Sequence, residues 1–299
     1  VFRTRSCLAK CLAKFFRILQ LMLCSRARSQ TKMPVISTSF NRFLGIMGAL
    51  FGLISSACAQ LPALSEDDFQ WLGQKIYQNE CNSDYQCLTS WNQGEDFPSL
   101  GIGHFIWFQA DQIEPFEETF PALLDYLRNQ NQTAPQWINE LPAAESPWLD
   151  RNSFLADLPS ARMTQLREFL FNTREQQSAF IANRLTQTLP QLLQSASVES
   201  RPIIESNFDT LAHASPPHGL YALIDYVHFK GSGMSENERY QGIGWGLQQV
   251  LLEMTGSDLQ AFVDAAEKVL ARRVDNSPAQ RNEGRWLEGW KNRLQTYLP

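Results

Sequence analysis

Acidic residues are missing from the first 59 positions of this 299-residue chain, although nine of its 26 Lys and Arg residues lie there. All 31 Asp and Glu residues therefore lie in residues 60–299, which carry a net charge of about −14. A chain this acidic is poorly suited to bind nucleic acid or an anionic membrane surface, which attract basic proteins. Low-complexity runs and internal repeats are also missing, and aromatic residues are well spread, which argues against a disordered chain.

Cysteine is scarce in the acidic part of the chain. Four of the six cysteines lie in residues 1–59, and only Cys81 and Cys87 lie beyond them. Two cysteines six residues apart in an exported chain predict a disulfide that closes a short loop. A metal pair is the alternative, but His104 is the only histidine nearby. No metal-like spacing joins the remaining histidines, which we interpret as surface or core residues: His213, His218 and His228. We predict no metal and no cofactor.

Long hydrophobic runs are absent as well, and the apolar stretch at residues 43–53 is too short to span a bilayer. It follows Arg42 and precedes the small residues Ala-Cys-Ala at 57–59, a pattern typical of a secretory signal peptide. We therefore predict that residues 33–59 are a signal peptide. The mature chain, residues 60–299, is predicted to be exported and to be periplasmic or secreted.

Two features of this leader leave alternatives open. Residues 1–32 are interpreted as translation from a start placed too early, with Met33 as the true start, and a genuine basic leader is the alternative. Cys58 could instead carry a lipid anchor, which would make the protein a lipoprotein. Residues 60–299 are long enough for one large domain or two small ones, and their oligomeric state stays open.

Helical patterns dominate the chain beyond the leader. Residues 65–68 form a capping box, and apolar residues then recur at helical spacing as far as Asn79–Glu80. Residues 100–108, "LGIGHFIWF", predict a strand or hairpin. Further helices are predicted over residues 117–129, 160–188 with a break near Asn172, 219–229, 242–255, 258–273 and 279–297. The fold class is predicted to be mainly α (α+β), a helical domain with a small β-hairpin beside a cleft.

Glu80 stands where a general acid could work. Glycoside cleavage needs an acid to protonate the leaving oxygen, and a second group to stabilise positive charge or activate water. A glutamate at a helix end, packed against aromatic rings, can be kept protonated by desolvation. The downstream hairpin would supply the opposite wall of a cleft, with Glu95 or Asp96, together with Ser99, as the second polar group.

Sugar-binding candidates flank the same hairpin. Trp91 and Trp107 are predicted to be platforms for sugar rings, with ordinary core packing as the alternative. Asn92 is a further candidate for substrate binding. His104 is a substrate-binding candidate too, although a structural histidine paired with a buried acid is the preferred interpretation.

The motifs "KIYQNE" (75–80) and "SLGIGH" (99–104) resemble the front of phage-type lysozymes, members of the lysozyme-like superfamily. In that family a catalytic Glu ends the first helix. A hairpin comes next with an acid, then a Thr or Ser, then Gly-Ile-Gly-His. The resemblance implies that Glu80 is catalytic and that Ser99 takes the Thr position.

The end of the chain is similar to the same family. "ALIDYVHFKGSG" (222–233) is similar to its central helix and turn, and residues 265–286 are similar to its closing segment. An arginine of that segment approaches the catalytic acid in the family, which implies Arg281 or Arg285 here. The front hairpin and the C-terminal helices should then face each other across one cleft.

The resemblance covers residues 65–108 and 219–297 and leaves 109–218 as an enlarged helical insertion in a single domain. The two candidate partner acids lie farther from the catalytic Glu than in the family, beyond the predicted disulfide loop. The sequence therefore does not decide whether Glu95 or Asp96 is the partner acid.

The function predicted is a glycoside hydrolase that cleaves an aminosugar polymer, most simply peptidoglycan. One alternative is a lytic transglycosylase, which needs a single acid, because the sugar's own hydroxyl attacks. The segment "ESNFD" offers Glu205 for that role, but a hairpin should then come after it, and residues 219–255 are predicted to be helical. A second alternative is a non-catalytic glycan-binding or envelope-assembly protein.

Overall fold

The computed structural model describes residues 62–114, 117–141 and 144–299. The predicted signal peptide (33–59) and the lipid anchor at Cys58 lie outside these residues. Among the helices described, none is long and apolar enough to cross a membrane. Mainly helical structure with a small antiparallel sheet confirms the predicted fold class.

Helices account for most of the described chain. The α-helices are α1 (Glu66–Cys81), α2 (Phe120–Asn129), α3 (Gln136–Asn139), α4 (Arg151–Asp157), α5 (Ala161–Asn172), α6 (Arg174–Ser195), α7 (Arg201–Ala212), α8 (His218–Lys230), α9 (Leu247–Glu253), α10 (Leu259–Asn276) and α11 (Gly284–Gln295). Short 3₁₀ turns cover Tyr85–Leu88, Glu236–Glu238 and Ala279–Arg281. The break predicted near Asn172 is confirmed by the end of α5.

The strands are short and form two antiparallel sheets. They are β1 (Thr89–Ser90), β2 (Ser99–Leu100), β3 (Phe105–Ile106), β4 (Arg239–Tyr240) and β5 (Ile243–Gly244). In the first sheet β2 is central, with Ser99 opposite Ser90 on one side and Ile106 on the other. The hairpin predicted at 100–108 therefore forms, and β1 adds a third strand to it.

The second hairpin corrects a prediction. The sequence pattern predicts a helix from residue 242, but the chain turns between β4 and β5 and α9 begins only at Leu247. Gln241 and Gly242 both have positive φ, at 52° and 78°. A two-residue hairpin turn of this kind requires positive φ at both positions, and glycine adopts it without steric cost.

Local signals fix both ends of α1. The side chain of Ser65 accepts a hydrogen bond from the backbone of Asp68, whose carboxylate accepts one in return, so the predicted capping box is confirmed. The helix ends at Cys81. Cys81 and Cys87 form the predicted disulfide, with their Cα atoms 5.4 Å apart. The loop that it closes holds the chain immediately beyond Glu80.

The segment predicted to be an insertion supplies the main packing surface for α1. Gly73 lets α1 approach the backbone of Arg174 closely, because an added Cβ would lie 2.8 Å from that carbonyl oxygen. Ser178 of α6 also donates a hydrogen bond to the carbonyl of Phe69. Buried residues of the segment 109–218 belong to the same hydrophobic core as the N- and C-terminal helices.

One buried amide ties α6 to the Gly-Ile-Gly-His turn. Gln177 is fully buried, and its Oε1 accepts a hydrogen bond from the backbone N–H of Ile102 at 3.0 Å. Its Nε2 donates to the carbonyl of Leu170 and to the hydroxyl of Thr173. All the polar atoms of this side chain are thus satisfied, which places the turn rigidly against α6.

A buried carboxylate anchors the start of α11. Glu283 accepts hydrogen bonds from Arg273 on α10, from Arg281 and from the Tyr240 hydroxyl, all at 2.8 Å at their shortest. Burial by itself raises the pKa of Glu283, but these hydrogen bonds outweigh it and lower the pKa to about 2.

This lowered pKa predicts a pH-dependent contribution to stability. A carboxyl group whose pKa is lower in the folded state stabilises the folded protein when the pH is above the group's ordinary pKa of 4.5. The contribution is then lost as the pH falls from 4.5 towards 2. In urea unfolding, the difference in unfolding free energy between wild type and Glu283→Gln should therefore shrink over that range. A difference that stays constant between pH 5 and pH 2 would contradict this assignment.

Candidate active site

Glu80 occupies the last turn of α1 and is largely shielded, with 19% of its side chain exposed. Its Oε1 accepts a hydrogen bond of 2.6 Å from Nη2 of Arg293 on α11. Its Oε2 lies 3.9 Å from Nδ1 of His104. The first helix, the hairpin turn and the last helix therefore meet at one carboxylate.

Arg293 is held in turn by Asp225 of α8. Its Nε and Nη2 donate to the two carboxylate oxygens of Asp225, each at 2.8 Å. Asp225 is 2% exposed and also accepts hydrogen bonds from the Tyr297 hydroxyl and from Asn79, the neighbour of Glu80. A buried carboxylate with this many donors is fully paired, which is the condition for a charge to be tolerated in the interior.

Electrostatics in this network keep its donors protonated. Burial by itself lowers the pKa of Arg293, but its hydrogen bonds and charge pairing with Asp225 and Glu80 raise that pKa above the ordinary value. Burial, followed by the charge of Asp225, raises the pKa of Tyr297 well above its usual range. The same two causes raise the pKa of Tyr221 to about 12. Arg293 is therefore a permanent cation, and both phenols remain hydrogen-bond donors.

A second histidine faces this network. His228 lies on α8 and lines the cleft described below, where its side chain is exposed. Desolvation within the cleft, the largest contribution, lowers the pKa of His228. The charges of Glu80 and Asp225 oppose this effect, and those of His104 and Arg293 add to it. Glu80 and Asp225 are therefore among the charges that act on this ring.

The cleft beside these groups has a volume of about 440 Å³. Its walls are the hairpin turn at Gly103, residues 117–119, the stretch of α6 from Ile181 to Gln191, and α8 from Ile224 to His228. Glu80 adjoins the hairpin wall of the cleft, because it contacts His104, the neighbour of Gly103. The hairpin and a C-terminal helix therefore face each other across one cleft, as the sequence predicts.

The predicted partner acids do not belong to this cleft. Glu95 and Asp96 line a different depression, together with Trp91, and the carboxylate of Glu95 accepts a hydrogen bond from Asn92. Ser99 is 4% exposed and is held in the central strand β2. The disulfide loop and β1 intervene in the chain between Glu80 and these acids, which lie in the loop between β1 and β2.

The predicted sugar platforms are core residues. Trp107 is fully buried, with Phe120 and Trp148 against its ring and its Nε1 bonded to a backbone carbonyl. Trp91 is 5% exposed, and its ring packs on Phe154. Neither ring presents a face on which a sugar could stack, so the alternative of ordinary core packing is correct.

The predicted arginines are also corrected. Arg281 is bonded to Glu283, and the guanidinium of Arg285 lies over the ring of Trp286, 4.5 Å from its centre. The arginine that contacts Glu80 is Arg293, two turns farther along α11. The prediction misses it because it places the arginine in the closing segment, residues 265–286, whereas α11 continues beyond that segment to Gln295.

The β4–β5 hairpin does come after the alternative acid Glu205, contrary to the prediction that residues 219–255 are helical. Glu205 lies half-exposed on α7, however, and that helix does not line the 440 Å³ cleft.

A metal site at the disulfide loop is also unsupported. Cys81, Cys87 and His104 do come together, but the two sulfurs are bonded to each other and cannot act as thiolate ligands.

Three members of the site are missing from the sequence prediction: Asp225, His228 and Arg293. A signal existed for two of them, because Asp225 and His228 are three residues apart and must share a helix face.

No protein-family model, curated protein or solved structure matches this chain. The resemblance to phage-type lysozymes rests on the sequence motifs and stays a prediction.

Proposed function

We propose that this protein cleaves glycosidic bonds in an aminosugar polymer, most simply peptidoglycan, with Glu80 as the proton donor. The observation that supports this best is the contact of Glu80 with His104, which follows the cleft-lining Gly103 in the hairpin turn. Arg293, itself held by Asp225, donates a hydrogen bond to one oxygen of Glu80, and the other oxygen lies 3.9 Å from Nδ1 of His104. Export of the chain, predicted from residues 33–59, would bring it to such a glycan.

The cleft lining suits a neutral, hydroxyl-rich chain. Amide and hydroxyl side chains alternate with apolar ones, and the two charged groups, Glu117 and Arg184, neutralise each other through a salt bridge of 2.8 Å. Such groups can donate and accept hydrogen bonds with sugar hydroxyl and N-acetyl groups. The uncharged polar lining residues are Thr119, Gln187, Thr188 and Gln191.

A general acid must hold a proton before the bond breaks, whereas the guanidinium of Arg293 stabilises the carboxylate form of Glu80. Arg293 makes one hydrogen bond to Glu80 and two to Asp225. It can therefore give up the bond to Glu80 and remain paired in its buried position. Proton transfer to the leaving oxygen restores the carboxylate, and Arg293 then stabilises it again.

Lytic transglycosylation is the second candidate, favoured by the absence of the predicted partner acids from the cleft. Within the described part of the chain, the acid that shares a hydrogen-bond network with Glu80 is Asp225. That carboxylate already accepts four hydrogen bonds. A reaction in which the sugar's own hydroxyl attacks needs no second carboxylate, and so it fits this geometry.

Product analysis tests the proposal and separates the two chemistries. The folded protein is incubated with peptidoglycan and with chito-oligosaccharides, and soluble products are analysed by mass spectrometry. Hydrolysis adds one water per bond cleaved, whereas transglycosylation leaves an anhydro sugar with no water added. Glycan binding without any product from either substrate would favour the non-catalytic alternative and contradict the proposal.

A further inference from the structure

His228 occupies a position that links the cleft to the Glu80 network. It follows Asp225 by three residues and Ile224 by four on α8, so the three side chains lie on neighbouring parts of one helix face. Ile224 and His228 both line the cleft. Asp225 holds Arg293, which in turn holds Glu80. His228 thus lines the space for a substrate and shares α8 with Asp225, which orients the arginine that holds the proposed acid.

The two histidines at this site differ in their surroundings. Nε2 of His104 lies 3.6 Å from the sulfur of Cys87, and its Nδ1 lies 3.9 Å from Oε2 of Glu80. His104 thus stands beside the proposed acid and does not line the cleft. The ring of His228 is exposed in the cleft and forms no hydrogen bond with the described residues. His228 is therefore the histidine that a nucleophile bound in the cleft can reach.

We propose that His228 is the proton acceptor of the reaction, in the role that the sequence assigned to Glu95 or Asp96. It removes the proton from the attacking nucleophile while Glu80 protonates the leaving oxygen. The inference rests on the proposed function and deepens it, since it supplies the second group that glycoside cleavage requires.

The proton balance closes with the groups present. In hydrolysis, the oxygen of water bonds to the anomeric carbon, and its proton passes to His228. The bond from that carbon to the glycosidic oxygen breaks, and the oxygen takes the proton of Glu80. In transglycosylation the same proton comes from a hydroxyl of the sugar itself. Either way His228 ends as an imidazolium and Glu80 as a carboxylate, and a proton returns between them through water.

The charges around His228 suit this cycle. Desolvation lowers its pKa, so near neutral pH the ring carries the free lone pair that a base needs. The charged or titratable groups that face it are Glu80, Asp225, His104 and Arg293. Glu117 and Arg184, on the opposite walls of the cleft, are paired with each other. When His228 takes a proton, the new carboxylate on Glu80 stabilises the imidazolium.

The test is the pH dependence of glycan cleavage in His228→Gln. A base must be unprotonated, so the wild-type rate should fall on the acidic side, below the pKa of His228. Because general base catalysis contributes roughly 10²–10⁴-fold, the variant should lose at least about 10²-fold at the optimum and should also lose this acidic limb. The matched control is His213→Gln, since His213 is exposed on α7, away from the cleft, and its replacement should change neither feature.

A second variant separates a chemical role from a structural one. His228→Ala leaves open space in an exposed part of the cleft, and imidazole added to the buffer should restore part of its activity. A merely structural histidine would show no such rescue. If His228→Gln keeps the acidic limb, or imidazole rescues nothing, the inference is overturned while activity lost in Glu80→Gln still supports the proposed function. A folded wild type with no turnover on either glycan overturns both.

Discussion

Replacing Glu80 with glutamine should lower the rate of glycan cleavage by roughly 10²–10⁴-fold, the usual contribution of a general acid. The amide has the size of the carboxyl group, so it can still accept the hydrogen bond that Arg293 donates at 2.6 Å. It cannot deliver a proton to the leaving oxygen. The variant should therefore bind glycan and fold normally, and the loss should appear in kcat rather than in KM.

The matched control is Glu95→Gln. Glu95 precedes the same hairpin and is a predicted partner acid, but it lies in a separate depression and accepts a hydrogen bond from Asn92. We expect its replacement to leave cleavage within a few-fold of wild type. Glu205→Gln completes the comparison. A rate that survives in Glu80→Gln but is abolished in Glu205→Gln would identify Glu205 as the acid instead.

Local signals in the sequence predict α1 and its surroundings well. The capping box at Ser65, the helical spacing up to Glu80 and the Cys81–Cys87 disulfide all depend on residues within about one turn or loop of one another. Short-range patterns of this kind constrain the backbone directly. The same is true of the break between α5 and α6.

Long-range packing decides the features that the sequence does not reveal. Trp107 looks like a platform when only its hairpin is considered, but Phe120 and Trp148 from later segments cover its ring. Arg293 reaches Glu80 across 213 positions of sequence, and no periodicity within α11 indicates which of its arginines faces α1. The partner acids are misplaced for the same reason, because nothing local shows that the loop between β1 and β2 borders a different depression from the cleft.

Replacing Asp225 with asparagine should cause the largest loss of stability. Asp225 is 2% exposed and carries the charge that compensates the buried side of Arg293. Removing one partner of a buried ion pair commonly costs about 3–5 kcal/mol, because the remaining charge is left uncompensated. An asparagine also turns an NH₂ group towards donors from Arg293, Tyr297 or Asn79, so at least one hydrogen bond is lost.

The measurement is the free energy of unfolding in urea, with Asp209→Asn as the control. Asp209 is an exposed aspartate on α7, 3.7 Å from His213, and a surface pair of this kind contributes about 0–1 kcal/mol. We expect Asp225→Asn to be several-fold more destabilising than Asp209→Asn at pH 7. Equal losses in the two variants would show that Asp225 does not organise the site.

A double-mutant cycle tests whether Asp225 and Arg293 act as a unit that also governs Glu80. Arg293→Met alone strands the buried Asp225 carboxylate, whereas the double variant Asp225→Asn/Arg293→Met removes both charges together. The double variant should therefore lose less stability than the two single losses combined, by roughly 0.5–3 kcal/mol.

Cleavage should fall in Asp225→Asn even where the variant is folded. Arg293 is then left with Glu80 as its remaining carboxylate partner, and it stabilises the form of Glu80 that cannot donate a proton. Strictly additive losses, or full cleavage by folded Asp225→Asn, would contradict this coupling.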